Sequence, residues 1–261
     1  MTANLYVQRN QPPGVPPLEV TGERTLPDVP AENYWYRRHL VVYEWIAARV
    51  GGMRVLDMAC GEGYGSSLLA RGVAGSPGAA SVVGVDGNPE AHEHARLRYV
   101  ASNLTFERGL VETWGEPGSL DAVVFLQTIE HVQDPQAVLE HFRSLLAPGG
   151  TLYMSTPNLL TLASPGAEKS DNPWHIKEYR AAEFRELCEG TFASVELLGL
   201  FHARKLALHQ LALDLGWDRL HKALRITDSF YDRFTPAISV SDFKLAPAPL
   251  DKALDFLAIC R

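Results

Sequence analysis

Apolar residues along the chain alternate between short runs typical of buried strands and the three-to-four-residue spacing typical of amphipathic helices. The helical spacing first appears from Arg37 to Val50, and Gly51 and Gly52 end it. Asp134 and Pro135 then supply a cap and a first residue for a later helix. The alternation predicts a Rossmann-like, doubly wound α/β sheet. The predicted strands are 54–58, 82–86, 104–108, 120–126 and 151–155, and helices are predicted at 64–72, from 89 to about 100, and from 134.

The two ends of the chain differ from this regular middle. Six of the 17 prolines lie between Pro12 and Pro30, which predicts an extended arm over residues 1–36. Residues 37–261 are expected to form a single domain with a helical insertion at about 203–240 that covers the site. The last third is predicted to contain helices at 181–188 and from 203 to about 224, and strands at 192–200 and 254–260.

A glycine-rich loop carries the first chemical signal. In Val55-Leu56-Asp57-Met58-Ala59-Cys60-Gly61-Glu62-Gly63-Tyr64-Gly65, a strand and a carboxylate precede three glycines that open a helix. Glycine lets the backbone approach a ligand closely, and the helix start presents unpaired N–H groups, so a nucleotide-like ligand is expected here. Asp86 ends the next strand 21 residues after Gly65, where its carboxylate can accept hydrogen bonds from both ribose hydroxyls.

The spacing of the loop distinguishes two classes of cofactor. Dinucleotide enzymes use G-x-G-x-x-G, whereas this chain has G-x-G-x-G, and a pyrophosphate would lie badly beside Asp57 and Glu62. An α-ammonium group would be accepted by Asp57 or by nearby carbonyl groups. S-adenosylmethionine (SAM) combines an adenosine, an ammonium and a sulfonium, and it is the predicted cofactor, with S-adenosylhomocysteine as its product.

Four motifs in order, VLDMACGEGYG, VVGVDGNP, FLQTIEHVQDP and LLAPGGTLYMSTPN, resemble those of class I SAM-dependent methyltransferases. The resemblance covers about residues 37–201 and implies a seven-stranded sheet whose last strand is antiparallel. It also implies that Gly109, Leu110 and Val111, after the third strand, lie beside the adenine. Gln127 is implied to lie near the methionyl part of the cofactor, and His39 and Tyr43 to close over it. The predicted cofactor-binding residues are Asp57, Ala59, Gly61, Gly63, Tyr64, Asp86, Gly109, Leu110, Val111, Gln127, His39 and Tyr43.

More narrowly, GERTLPDVPAENYWYRRH, STPN and NPWHIKEYRAAEF are similar to actinobacterial methyltransferases linked to polysaccharide O-methylation, including the 6-O-methylglucose lipopolysaccharide type. This resemblance implies transfer of a methyl group to a hydroxyl of a sugar or oligosaccharide by in-line displacement. Two alternatives remain open: a methyltransferase of a small aromatic or polyketide-like natural product, and a SAM-binding regulatory protein without turnover. The acceptor pocket is expected to be polar for a sugar and mainly apolar for the aromatic alternative.

A poorly acidic sugar hydroxyl needs a base, and candidates should follow strands four and five. His131 follows the fourth strand, with Glu130 beside it, and histidine is the side chain commonly used as a base near neutral pH; the alternative is a loop histidine that Glu130 orients. His175 is the second candidate, in a loop with Trp174 and Tyr179. Those two aromatics are either a platform for a sugar face or anchors in the core.

The segment from Gln127 to His131 also resembles the Glu-x-x-Glu-His metal site of some SAM-dependent RNA-end methyltransferases. Gln127 replaces the first carboxylate, and Mg²⁺ prefers anionic oxygen ligands, so Mg²⁺ dependence is not the favoured interpretation and no metal ligands are predicted. Arg37 and Arg38 are expected to lie on a solvated helix face, and the alternative is that they bind an anionic group of the acceptor.

Composition and charge limit the kinds of partner that the protein is expected to bind. The chain has 261 residues, is 46% apolar and carries a formal net charge of −7, which disfavours nucleic acid. Three separated cysteines predict neither a disulfide framework nor a zinc site and fit a reducing, cytoplasmic compartment. No segment approaches about 18 consecutive apolar residues, so no membrane insertion is expected. The expected partner is a small-molecule or oligosaccharide acceptor. The sequence is also compatible with a homodimer.

Overall fold

Eight strands form one sheet in the computed structural model, which describes residues 5–9, 11–21, 24–164, 166–224 and 226–261. Their order across the sheet is β7-β6-β8-β5-β4-β1-β2-β3. The strands are β1 (Arg54–Met58), β2 (Ser81–Asp86), β3 (Leu104–Arg108), β4 (Leu120–Leu126), β5 (Leu146–Pro157), β6 (Val195–His202), β7 (Phe243–Ala246) and β8 (Asp255–Cys260).

The direction of the strands confirms the predicted fold class. Strands β3, β2, β1, β4 and β5 are parallel neighbours, whereas β8 runs antiparallel between β5 and β6. The sheet has one strand more than the seven that the resemblance implied, because β7 pairs antiparallel with the outer edge of β6. Parallel strands with their carboxyl ends at one edge create the crevice in which α/β folds bind ligands.

Nine α-helices are described, and the longer ones cover both faces of the sheet. Val42 and Ile46 of α1 and Leu69 of α2 pack in one apolar core, and Phe142 of α4 and Phe184 of α6 pack in the other. The helices are α1 (Asn33–Ala47), α2 (Tyr64–Arg71), α3 (Pro89–Arg98), α4 (Pro135–Leu145), α5 (Leu159–Leu162), α6 (Ala181–Glu189), α7 (Arg204–Asp214), α8 (Trp217–Leu224) and α9 (Thr227–Phe234). None of the described helices is long and apolar enough to span a membrane.

The segment predicted as one helix from 203 to about 224 is broken. Gly216 has φ of 91°, a left-handed conformation that ends α7 and allows α8 to begin in another direction. Helix α4 ends at Leu145, earlier than the predicted stop at Gly149 and Gly150, because β5 already begins at Leu146.

The proline-dense arm folds back on the domain. Leu5–Tyr6 pairs antiparallel with Leu18–Glu19, and Pro30–Glu32 forms a 3₁₀ turn before α1. Leu26 is fully buried in a small apolar cluster of the arm, so the segment is packed as well as extended.

The expectation of a solvated Arg38 is wrong. Its Nε and Nη2 each lie 2.6 Å from a carboxylate oxygen of Asp255, and both side chains are buried. Arg38 also donates from Nη2 to the carbonyl oxygen of Leu254. The pair joins α1 to β8, and a charge at this depth is tolerated because it is matched by two charge-assisted hydrogen bonds.

Candidate active site

The glycine-rich loop between β1 and α2 turns through left-handed conformations. Ala59 and Gly61 have φ of 57° and Gly63 has φ of 96°. Among the described residues, a Cβ atom on Gly61 would meet only Cγ of Arg24, at 3.7 Å, whereas one on Gly63 would lie 2.8 Å from Cβ of Ala95. The loop therefore exposes bare backbone on one side and packs tightly against α3 on the other.

Asp57 lies beneath this loop and is fully buried. Its carboxylate accepts hydrogen bonds from the hydroxyl groups of Tyr43 at 3.0 Å and Ser66 at 2.5 Å. Burial is the main cause that raises the pKa of Asp57 to about 7, and the two hydrogen bonds oppose that rise. Asp57 thus ties α1, β1 and α2 together.

Asp86, at the end of β2, faces the loop. Its Oδ2 accepts from the backbone N–H of Gly61 and its Oδ1 from that of Asn88, both at 2.8 Å. The N–H of Gly109 donates to the carbonyl oxygen of Asp86 at 3.3 Å, and the neighbouring Leu110 is exposed. The predicted residues after β3 therefore lie beside Asp86 at the same edge of the sheet.

A cavity of about 270 Å³ opens in front of the loop. It brings together seven of the predicted cofactor-binding residues, and the other five, Asp57, Gly63, Gly109, Leu110 and Val111, do not line it. The predicted residues that line it are His39, Tyr43, Ala59, Gly61, Tyr64, Asp86 and Gln127.

The arm supplies lining residues that the sequence reasoning missed: Thr21, Arg24 and Thr25. The Oγ1 atom of Thr25 lies 3.0 Å from the hydroxyl oxygen of Tyr64 and 3.4 Å from Nδ1 of His39. Burial lowers the pKa of His39 to about 4, so this imidazole is neutral near pH 7. Arg24 and Thr25 lie in the motif GERTLPDVP, which carries the narrower resemblance, and Thr21 lies just before it.

Glu62 fastens the arm to the loop. Its buried carboxylate accepts hydrogen bonds from Nε2 of Gln8 at 2.9 Å and from the hydroxyl of Tyr99 at 2.8 Å. His94 lies 3.2 Å from the same carboxylate through Nε2, and its Nδ1 lies 2.7 Å from the carbonyl oxygen of Pro16. One side chain of the cofactor loop therefore connects two points of the arm.

A second cavity, of about 260 Å³, adjoins the first. Thr25, His39, Gln127 and His131 line both, so the two cavities meet at these side chains. Nine of the twelve described residues that line the second cavity are polar, and Trp35, Pro157 and Leu162 are the apolar ones. No described residue of 203–240 lines either cavity, and the covering role of the insertion stays a prediction.

The three catalytic candidates converge in the second cavity. Glu130, His131 and His175 each offer a ligand or proton-accepting atom within 4.8 Å of the other two, and the two imidazole rings are 5.0 Å apart. The backbone N–H groups of Ile176 and Lys177 donate to the carbonyl oxygen of Glu130, at 2.8 and 3.1 Å. These bonds join the turn after β4 to the loop that carries His175.

The two aromatic side chains near His175, Trp174 and Tyr179, differ in burial. Tyr179 is fully buried in the core, as one of the two interpretations held, and its aromatic ring packs on Phe184. Trp174 is exposed, and its carbonyl oxygen lies 3.0 Å from Nδ1 of His131.

The sequence is similar to those of known methyltransferases. The family model of the methyltransferase domain matches residues 34–211. A protein of Mycolicibacterium smegmatis named as a probable S-adenosylmethionine-dependent methyltransferase is 39% identical over 253 residues, which are 93% of this chain and 94% of that protein. The chain belongs to the SAM-dependent methyltransferases. It is an enzyme of that class, and SAM is its methyl donor.

Other relatives of this methyltransferase agree. The probable S-adenosylmethionine-dependent methyltransferase Rv3030 of Mycobacterium tuberculosis is 40% identical over 190 residues, 72% of this chain and 66% of that protein. The ubiquinone biosynthesis O-methyltransferase of Xanthomonas campestris is 40% identical over 135 residues, 48% of this chain and 54% of that protein. The DhpI–SAH complex has a TM-score of 0.51 at 19% identity, covering 87% of this chain and 85% of that chain, which shows a shared fold.

Proposed function

We propose that this methyltransferase transfers a methyl group to a hydroxyl of a sugar or oligosaccharide by in-line displacement. The observation that carries the proposal is the meeting of two cavities, one in front of the glycine loop and one lined mainly by polar side chains. Methyl transfer needs donor and acceptor in adjoining spaces that exclude water, and this arrangement supports it.

The first cavity fits the donor. SAM supplies an electrophilic methyl group on a sulfonium sulfur. The bare backbone at Gly61 allows close approach, and the carboxylate of Asp86 is placed to accept hydrogen bonds from ribose hydroxyls. His39 and Tyr43 would close the cavity from the α1 side, and Gln127 would face the junction with the acceptor.

The second cavity fits a polyhydroxylated acceptor. Glu32, Asn172 and Gln127 offer hydrogen-bond donors and acceptors around its wall. Trp35 is 42% exposed, and the guanidinium carbon of Arg38 lies 4.9 Å from the centroid of its ring. That contact holds the indole in place, so its other face can serve as a platform for a sugar ring.

His131 is the proposed general base, because it lines both cavities. Its Nδ1 lies 3.0 Å from the carbonyl oxygen of Trp174, and a carbonyl can only accept, so Nδ1 carries the proton. Nε2 is then the nitrogen that would take the proton of the acceptor hydroxyl. A positioned base contributes about 10²–10⁴-fold in rate. His175 is the proposed partner of His131 at the acceptor, with Glu130 orienting the pair.

A phenolic acceptor is the second candidate function, and the similarity to the ubiquinone biosynthesis O-methyltransferase favours it. That similarity covers 48% of the chain. Nine of the twelve described residues that line the second cavity have side chains that can form hydrogen bonds, and this number of polar groups favours the sugar.

Incubation with SAM and a panel of methylated and unmethylated oligosaccharides, phenols and quinols, with S-adenosylhomocysteine as the readout, tests the proposal. Product with the sugars supports it, and product with phenols alone refutes it. Asp86→Ala should weaken SAM binding at least tenfold in titration calorimetry, and unchanged affinity would remove Asp86 from the proposed binding set. His131→Ala should lower turnover about 10²-fold or more without changing SAM affinity, and retained turnover would exclude it as the base.

A further inference from the structure

Glu130, His131 and His175 form a cluster that the proposed proton transfer uses only in part. All three line the second cavity, and Glu130 and His175 are buried. A single proton transfer needs one imidazole, whereas this cluster brings a second imidazole and a buried carboxylate within 4.8 Å.

Both imidazoles are fixed through the same nitrogen. Nδ1 of His175 lies 2.7 Å from Oε1 of Glu178, and Nδ1 of His131 lies 3.0 Å from the carbonyl oxygen of Trp174. Glu178 is held in turn by the backbone N–H and the hydroxyl of Ser170. Histidines that bind metals almost always donate their second ring N–H to a carboxylate or a carbonyl, which orients the ring and leaves the other nitrogen for the ion.

The ligand atoms of His175 and Glu130 are also held by hydrogen bonds. Nε2 of His175 accepts a hydrogen bond from Nδ2 of Asn172 at 3.0 Å, so its lone pair faces this amide, which an incoming ion would displace. Glu130 accepts from Oγ1 of Thr156 at 3.1 Å, which fixes the orientation of its carboxylate. Because backbone hydrogen bonds to Glu130 join the two loops, the three ligand atoms are positioned before any ion arrives.

We propose that Glu130, His131 and His175 bind one divalent first-row transition-metal ion, such as Mn²⁺, Co²⁺ or Zn²⁺, at the acceptor cavity. Two imidazole nitrogens and one carboxylate favour these ions over Mg²⁺, which prefers oxygen ligands. The three ligands leave coordination positions toward the cavity, where hydroxyl groups of an acceptor can bind.

The consequence for the reaction rests on the proposed function. With an ion bound, Nε2 of His131 would be a ligand instead of the base. The ion would supply Lewis-acid chemistry that makes an acceptor hydroxyl more acidic, so that a water molecule could take its proton.

Titration of the full chain with Co²⁺, followed by its visible absorption and by calorimetry, tests the site without any turnover. One ion per chain is expected. His175→Gln should abolish binding or weaken it at least 100-fold, and Glu178→Gln, which removes only the support of His175, should weaken it about 10–100-fold. His92→Gln is the matched control, because His92 lies on α3 and lines neither cavity.

SAM affinity reports folding in every variant, because His175 and Glu178 do not line the first cavity. Loss of Co²⁺ binding with SAM affinity retained supports the site. Absence of Co²⁺ binding in the unaltered protein, or binding that His175→Gln leaves unchanged, would overturn it. Stoichiometric Co²⁺ binding together with no methylation of any sugar would refute the proposed function and leave the metal site standing.

Discussion

The buried pair of Arg38 and Asp255 offers a quantitative test of the fold. Substituting Arg38→Met keeps most of the side-chain volume but leaves the Asp255 carboxylate buried without the guanidinium that donates to both of its oxygens. Removing one partner of a buried pair costs about 3–5 kcal/mol. In a chain of this length each kcal/mol lowers Tm by about 2–4 °C, so the expected decrease is about 6–20 °C.

Urea unfolding followed by circular dichroism measures the loss. Arg54→Met is the matched control, because Arg54 makes a similar pair with Asp121 whose side chains are 49% and 36% exposed. That substitution should destabilise the protein far less than Arg38→Met, because water screens the exposed pair. The double variant Arg38→Met/Asp255→Leu should recover at least about 2 kcal/mol relative to Arg38→Met, since no buried charge is left. Equal losses for Arg38→Met and Arg54→Met would refute the reasoning.

Three further predictions concern the cofactor loop. Gly65→Ala would place a Cβ 2.1 Å from Cζ of Tyr43, so we expect a loss of about 1–3 kcal/mol and weaker SAM binding in calorimetry; wild-type affinity would contradict this. The pKa of Asp57 is raised to about 7, so its protonated form contributes stability that is fully present below about pH 4 and is lost as pH rises through 7. Asp57→Asn should therefore gain about 4 kcal/mol relative to wild type between pH 4 and pH 8 in urea melts, and a constant difference would argue against the raised pKa. Glu62→Ala should release the arm at Gln8, seen as faster proteolysis within residues 11–21, and unchanged cleavage would show that other contacts hold it.

Local signals predicted most of the sheet. The apolar run of β4, and the cap at Asp134 with Pro135 after it, depend on neighbouring residues alone, and both lie where the pattern indicated. Strand β7 was missed because four residues, Phe-Lys-Leu-Ala, carry little periodicity and pair only where β6 already offers an edge.

In the site too, features set by adjacent residues were predicted and features set by distant contacts were not. The bare backbone at Gly61 and the carboxylate of Asp86 were predicted because loop spacing and strand ends are properties of adjacent residues. Thr25 and the partner of Arg38 were not, because their contacts join parts of the chain that are far apart in sequence. The convergence of His175 on His131 depends in the same way on how the loop after β5 folds across the turn after β4.

The position of β8 also bears on how the chain folds during synthesis. Residues 255–260 form hydrogen bonds with β5 on one side and with β6 on the other, yet they follow both strands in the chain. Until the ribosome has released them, β5 presents an unpaired edge over its buried segment 151–157, which is the kind of edge that joins other chains. A nascent chain stalled before residue 255 would therefore be the aggregation-prone species, and chaperone contact should be concentrated on that late stage of translation.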